Sequence, residues 1–341
     1  MITTKKLVFL TPFFTLFFGV NWYSRTESQK LFLEPFELPK NEWLIESPIQ
    51  FILGYFLNII LKNPTLTYWI VVFCGYFFLL ISFYLLEKNI KESIFLDVLF
   101  LTPFFLVMYF WMGKPDTYTV GSIIILILYS NRYPAFFLIS LLLIFSHAQI
   151  ALIYLFLISY LKIFKLTIKH YFLFLIGYLM YFVYLSQYGE YQGRAEFIVE
   201  NFERIIANVL TNPLIGTVSL FMWIWIPIFN SEVLKLNKRY LISFLIILVV
   251  SLFSLDFTRT FLISSIPFLY KLSTDKTFVK SFNTIFSNNW IYLLGFLQLQ
   301  KRPDGVISDS SWKLRFPEQF ENIVSYLSEF FLNMLEYLKV I

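Results

Sequence analysis

The sequence predicts an all-α, polytopic integral membrane protein with about ten transmembrane helices. Of the 341 residues, 58% are hydrophobic and 14% are charged, which is more apolar surface than a soluble fold of this size buries. The apolar residues form a series of runs close to the length of a bilayer-crossing helix. Lys and Arg concentrate in every second connection between these runs, as in membrane proteins whose basic connections face the cytoplasm.

Composition also excludes several kinds of site. The single cysteine, Cys74, lies inside an apolar run, so neither a disulfide framework nor a cysteine metal site is expected. The two histidines, His147 and His170, are too few for a polyhistidine metal centre, which leaves acid–base chemistry to carboxylates. The net charge of +5 is dispersed along the chain, and nucleic-acid binding is therefore not expected. No metal or cofactor is predicted.

The first predicted span follows Lys5 and Lys6 and has no small-residue cleavage site after it, so we interpret it as an uncleaved anchor. The fourth, fifth, sixth and tenth predicted spans are short, and one pair of them could form a single broken helix. The predicted spans are residues 7–22, 66–86, 94–112, 117–131, 133–146, 149–161, 170–187, 213–230, 240–255 and 260–271.

The distribution of charge predicts the orientation of the chain. With a cytoplasmic N-terminus, every short inside connection is basic. These connections contain Lys88, Lys91, Arg132, Lys162, Lys165, Lys169, Lys235, Lys238 and Arg239. The outside connections then contain half of the 22 acidic residues, namely Glu27, Glu34, Glu37, Glu42, Glu46, Asp116, Glu190, Glu196, Glu200, Glu203 and Asp256. The same orientation places His147 and Arg259 at the outer surface.

Two outside segments are predicted to be helices that lie in the membrane interface. Residues 49–61 are apolar but, at about 13 residues, too short to cross a bilayer. Residues 195–210 have apolar side chains at helical spacing with charged residues between them. Together these two helices are expected to cover a cavity at the membrane surface.

The polar character of the chain after the last span predicts a boundary. Residues 1–281 are predicted to form the transmembrane domain, and residues 282–341 a C-terminal interfacial or cytoplasmic segment. Within this segment we expect a re-entrant or interfacial piece at 290–299, a loop at 301–317 and an amphipathic helix at 318–341.

Two short polar segments at the outer surface supply the first candidate site residues. Residues 113–117 contain Lys114 and Asp116, between two spans. Residues 146–149 place His147 and Gln149 in an otherwise apolar stretch. Both segments also have a purely structural interpretation as turns. Ionisable groups near membrane depth are nevertheless functional candidates, because burying them there is costly.

Further candidates come from three other outside connections. Asp256 and Arg259 lie between the ninth and tenth predicted spans, where they form either part of a site or a pair that only caps two helices. Glu27 follows the first span closely, and Arg194 lies in the long outer connection. Cations and carboxylates together fit an enzyme that handles a lipid-linked phosphate. The cations would bind the phosphate as a leaving group, while a carboxylate removes a proton from the attacking hydroxyl.

The order of elements in residues 1–165 resembles that of the multi-span glycosyltransferases of the GT-C superfold. The resemblance rests on a first span, an acidic outer loop, an interfacial helix introduced by Ser47 and Pro48, and a Lys-Pro-Asp tip at residues 114–116. Such enzymes use polyprenyl-phosphate sugars at the periplasmic or lumenal side. The resemblance implies that an acidic residue just after the first span is the base, which corresponds to Glu27. Apart from the resemblance, Asp116 is a second catalytic candidate.

The expected function is therefore transfer of a sugar from a polyprenyl-phosphate donor to a periplasmic glycan or lipid acceptor at the cell inner membrane. The substrate-binding residues would be Lys114, His147, Gln149, Arg194, Asp256 and Arg259. One alternative is an O-antigen-type polysaccharide polymerase, which would use a lipid-pyrophosphate donor, because residues 256–259 look like polar turns of such polymerases. From other classes, a transporter or flippase and a non-catalytic assembly subunit are alternatives.

Overall fold

The computed structural model describes residues 3–8, 25–34, 45–90, 94–110, 114–188, 221–252, 257–286, 298–301 and 312–315. This part of the chain is mostly helical. Its helices are α1 (Arg25–Leu31), α2 (Ile49–Leu61), α3 (Pro64–Asn89), α4 (Phe95–Phe100), α5 (Phe104–Phe110), α6 (Asp116–Tyr129), α7 (Tyr133–Tyr160), α8 (Ile168–Leu185), α9 (Trp225–Asn230), α10 (Val233–Leu236), α11 (Lys238–Leu252), α12 (Phe257–Ser264), α13 (Ile266–Ser273) and α14 (Lys276–Ile285).

By length and composition alone, three helices in the described ranges, α3, α7 and α8, could cross a membrane, although α7 is interrupted at His147. They support the prediction of a membrane protein. The helices α2 and α6 are apolar but shorter. The count of ten spans stays a prediction. One correction to the all-α prediction is needed, because β1 (Gln298–Lys301) and β2 (Trp312–Arg315) pair as antiparallel strands. The alternation of apolar and charged residues in β2 is too short to predict a strand from sequence.

Helix α3 is the longest uninterrupted helix among the described residues. Its N-terminus is fixed by Asn63, whose side chain accepts a hydrogen bond from the Leu66 N–H at 3.0 Å, and by Pro64 in the first turn. At 26 residues it is about 39 Å long.

Helix α6 runs parallel to α3 but begins far along it. The Tyr118 hydroxyl donates to the Val71 carbonyl at 2.6 Å, and Gly75 packs so closely on α6 that an added Cβ would lie 2.5 Å from Thr117 Oγ1. One turn later Gly121 lies against Phe78. The start of α6 is therefore level with residues 71–75, about 13 Å along α3 from its N-terminus.

Helix α7 is a hairpin of two arms, 133–146 and 148–160, that reverses at His147. His147 has φ −165° and ψ 86°, a non-helical conformation inside the helix. The first arm runs parallel to α8, because Phe136 contacts Phe174 and Phe145 contacts Tyr181.

The second arm of α7 runs antiparallel to α8. Tyr178 donates a hydrogen bond to the Ala148 carbonyl, and Ser159 Oγ lies 3.1 Å from the Tyr171 hydroxyl. A straight helix of the same length would extend about 42 Å and could not bring both of its ends to the start of α8. The break predicted within residues 146–149 is confirmed.

The connections at one end of the bundle carry most of the cations among the described residues. Thr4 donates to the Glu87 carboxylate at 2.9 Å through both its N–H and its hydroxyl, so the N-terminus lies beside the end of α3. Rings of Phe95 and Tyr270 meet there. We call this the basic end; its described cations are Lys5, Lys6, Lys88, Arg132, Lys162, Lys165, Lys169, Lys235, Lys238, Arg239, Lys271, Lys276 and Lys280. The predicted grouping of the basic turns is thus present.

Candidate functional site

Asp116 and Arg259 form a buried ion pair away from the basic end. Arg259 Nη1 donates to both carboxylate oxygens of Asp116, at 3.1 Å and 2.9 Å. The Asp116 side chain is 2% exposed and that of Arg259 is 11% exposed. An isolated charge at this depth would be very costly, so each residue makes burial of the other possible.

Two helices position this pair. Asp116 is the first residue of α6, where the unpaired N–H groups of the first turn favour a negative charge. Arg259 lies near the start of α12, which packs against α5, α6, α7 and α11. Aromatic rings hold α12 in place, because Phe261 packs on Phe221 and Phe244. The pair therefore joins two rigid helices.

The tip of the α7 hairpin lies beside the start of α6. The Thr119 hydroxyl contacts Ser146 Oγ at 3.0 Å, and Ser146 Oγ in turn donates to the Leu143 carbonyl at 2.9 Å. Thr119 is one turn into α6, so Ser146 and His147 lie close to the level of Asp116. His147 and Lys114 are both buried. We call Lys114, Asp116, Ser146, His147 and Arg259 the polar floor.

Glu27 lies farther from the basic end of the bundle than the polar floor does. It is half-buried on α1. Its neighbour Arg25 lies over the Trp69 ring at 5.3 Å, and Gln29 donates to Thr65 Oγ1 at 3.3 Å. Because Thr65 and Trp69 lie in the first turns of α3, Glu27 is about 10 Å farther along the α3 axis than Asp116. The helices α1 and α2 thus lie toward the end of the bundle opposite the basic end. That this end faces the outside, as the sequence predicts for α2, stays a prediction.

The remaining candidates are placed less centrally. Gln149 is exposed. Arg194 and Asp256 lie outside the described residues, as does the predicted interfacial helix 195–210. The pairing of Arg259 with Asp256 that the sequence suggested stays a prediction. Among the described residues, the carboxylate that binds Arg259 is that of Asp116. Nothing local in either segment indicates a pairing across 143 residues.

Sequence reasoning did not single out two further buried polar groups. The Gln50 side chain is buried on α2, and within the described residues its Nε2 has no hydrogen-bond partner. The same holds for Thr117 Oγ1, next to Asp116. A buried polar group without a hydrogen-bond partner needs an explanation, and contact with a bound ligand is one. The sequence signal for Gln50 is an amide one residue into an otherwise apolar helix.

Chemically, the polar floor offers cationic and hydrogen-bonding side chains in a region that excludes most water. Within the described ranges, no three His, Cys, Asp or Glu side chains meet as they do in a metal site. Comparison of the chain with protein-family models, curated proteins and solved structures gave no match.

Proposed function

We propose that this chain is a membrane glycosyltransferase that moves a sugar from a polyprenyl-phosphate donor to a glycan or lipid acceptor at the outer face of the cell inner membrane. The observation that carries the proposal is the buried Asp116–Arg259 pair, with buried Lys114 and His147 at about the same level of the bundle, away from the basic turns. A cationic site below the outer helices suits a phosphate whose lipid tail remains in the bilayer.

Arg259 is the proposed phosphate ligand. Asp116 holds the Arg259 guanidinium in place through Nη1, and this oriented guanidinium would bind the phosphate. A leaving phosphate gains negative charge as the glycosidic bond breaks, so a preorganised guanidinium stabilises the transition state more than the ground state. Lys114 and His147 would add charge and hydrogen bonds to the same group.

Glu27 is the proposed base. Both oxygens of Asp116 are bound by Arg259, which makes Asp116 an orienting group rather than a proton acceptor. On the proposed orientation Glu27 lies on the outer side, from which a water-soluble acceptor would arrive. Its distance of about 10 Å from the level of Asp116 leaves room for the transferred sugar between base and phosphate.

Phosphate-specific binding tests the proposal. Purified protein is heated in detergent with undecaprenyl phosphate, undecaprenyl pyrophosphate or undecaprenol. We expect the phosphate to raise Tm and the alcohol not to, and we expect Arg259→Lys to lose most of the shift because an ammonium cannot grip two oxygens. A larger shift with the pyrophosphate would favour the polymerase alternative. Equal shifts with phosphate and alcohol would refute a phosphate site.

One observation favours a second candidate, a lipid or solute transporter. The polar floor lies well inside the length of α3, at a hairpin of broken helix, and such sites occur in transporters. Purified protein in vesicles would then move labelled polyprenyl-phosphate sugar between leaflets without changing it. Release of free polyprenyl phosphate with a sugar acceptor present would instead support the transferase.

A further inference from the structure

A groove opens on the surface of the bundle at the basic end, away from the polar floor. It has a volume of about 530 Å³ and is lined by Tyr133, Ile168, Lys169, Phe172 and Leu173. These residues belong to the beginnings of α7 and α8. The volume lies within the range of about 300–1,000 Å³ that holds small ligands.

The groove has an apolar base and a polar rim. Ile168 is 82% exposed and Phe172 is 61% exposed, so both present apolar surface outwards. Lys169 Nζ lies 5.4 Å from the centre of the Tyr133 ring. At the same rim the Tyr133 hydroxyl lies 3.3 Å from Thr167 Oγ1. A ligand that fits has one acidic head group and an apolar tail.

Charge around the groove favours an anion. The described cations of the basic end far outnumber its described carboxylates, which are those of Glu87, Asp97, Glu232 and Asp275. Glu87 accepts from Thr4, Glu232 lies 3.5 Å from Lys235, and Asp275 caps α14. Arg132 and Lys165 flank the groove in sequence. The field at its mouth is therefore positive.

We propose that this groove binds one anionic phospholipid of the adjacent leaflet, with its phosphate at Lys169 and the start of an acyl chain along Ile168 and Phe172. Basic pockets between membrane helices bind anionic head groups by this combination of charge and apolar surface. The proposal is independent of the function of the polar floor. The bound lipid would fasten the beginning of α8 to the beginning of α7.

The test compares lipids and charges in matched pairs. Protein in detergent is heated with dioleoyl phosphatidylglycerol or dioleoyl phosphatidylcholine, and retained lipid is counted by native mass spectrometry. We expect phosphatidylglycerol to raise Tm more and to remain bound. Lys169→Gln should reduce the retained phosphatidylglycerol about fivefold, the effect of one surface cation. Lys235→Gln removes an exposed lysine of the same end, and this variant should retain as much phosphatidylglycerol as the wild type.

Two further variants keep the result interpretable. Lys169→Arg should preserve binding because the charge remains. Ile168→Trp, at a highly exposed position, should weaken binding by narrowing the groove and leave the protein folded. Equal losses in Lys169→Gln and Lys235→Gln would mean diffuse attraction by the basic end and would overturn the proposal. Equal retention of the two lipids by the wild type would overturn it as well.

Discussion

Asp116 and Arg259 meet through a single guanidinium nitrogen across 143 residues of chain. Removing one partner leaves the other charge buried, whereas removing both leaves an apolar contact. We expect Asp116→Ala to lower the free energy of unfolding by about 3–5 kcal/mol. The double variant Asp116→Leu, Arg259→Met should regain most of that stability but show no phosphate-dependent Tm shift. A double variant that still gains the shift would exclude the pair from the site.

Glu27 can be tested as the base without altering the fold. Glu27→Gln keeps the shape of the side chain and removes the proton acceptor, so turnover should fall by roughly two to four orders of magnitude. Glu34→Gln, at an exposed glutamate just beyond α1, is the matched control and should remain active. Unchanged Tm in both variants shows that the fold is intact. Full activity of Glu27→Gln would remove it from the mechanism.

His170 shows how a residue with chemical potential is used structurally. The Thr167 N–H donates to His170 Nδ1 at 3.0 Å, so Nδ1 must be an acceptor. His170 Nε2 then carries the proton and donates to the Ser130 carbonyl at 2.9 Å. The imidazole thus bridges the start of α8 and the end of α6. The sequence reveals the histidine but gives no indication of either partner.

Among the elements, the contact of α3 with α6 depends on glycine. A Cβ at Gly75 would lie 2.5 Å from Thr117 Oγ1, in a buried and β-branched side chain that has little room to move. We expect Gly75→Ala to lower stability by about 1–3 kcal/mol and to weaken the phosphate-dependent Tm shift by displacing Asp116. Gly177→Ala is the control, because its Cβ meets only the flexible ends of Ile144 and Leu141. If Gly75→Ala and Gly177→Ala weaken the phosphate-dependent Tm shift equally, the packing at Gly75 does not position Asp116.

The N-terminus of α14 provides a pH-dependent element. Asp275 accepts from the Thr277 and Phe278 N–H groups at 3.0 Å and 3.3 Å, and from the Tyr240 hydroxyl at 3.2 Å. Partial burial raises the pKa of the Asp275 carboxyl, but these bonds and that from the Thr277 hydroxyl outweigh it and leave the pKa below its usual value. The stabilisation is therefore complete above the unfolded-state pKa and is lost as pH falls through the lower, folded-state pKa.

Variants at Asp275 separate the cap from its charge. Asp275→Ala should lower the free energy of unfolding by about 1 kcal/mol near neutral pH. Asp275→Asn keeps an acceptor, and its stability difference from the wild type should shrink as pH falls from about 5 to 2. Chemical unfolding in detergent across this range measures the difference. A difference that does not change with pH would show that the carboxylate charge contributes nothing.

The elements that could be predicted are those that depend on residues close together in the sequence. Ser146, His147 and Gln149 interrupt an apolar stretch, and the reversal of α7 occurs there. Residues 49–61 are too short to span, and they form the separate helix α2. The parallel packing of α3 on α6 and the Asp116–Arg259 contact join segments distant in sequence. Such contacts leave no periodic signal in a single sequence.

At the scale of the whole molecule, the separation of the basic end from the polar floor predicts the orientation. In a background with Cys74 replaced by Ser, because Cys74 is exposed, single cysteines are introduced at Gly113, Gly189, Asn89 or Asn237. An impermeant thiol reagent added outside should label the first two positions and not the last two. Labelling at Asn237 without labelling at Gly189 would show that the short spans are miscounted.

The late start of α6 has an electrical consequence. Only 14 residues of α6, about 21 Å, lie between Asp116 and the basic end, so on the proposed orientation the polar floor lies inside the insulating layer rather than at its edge. A membrane potential acts on any charge that enters this layer, by about 2.3 kcal/mol per elementary charge for each full crossing at 100 mV. A phosphate descending to Arg259 from outside crosses part of that field against an interior-negative potential. We therefore expect an energised membrane to weaken occupancy of the site, and dissipating the potential to strengthen it.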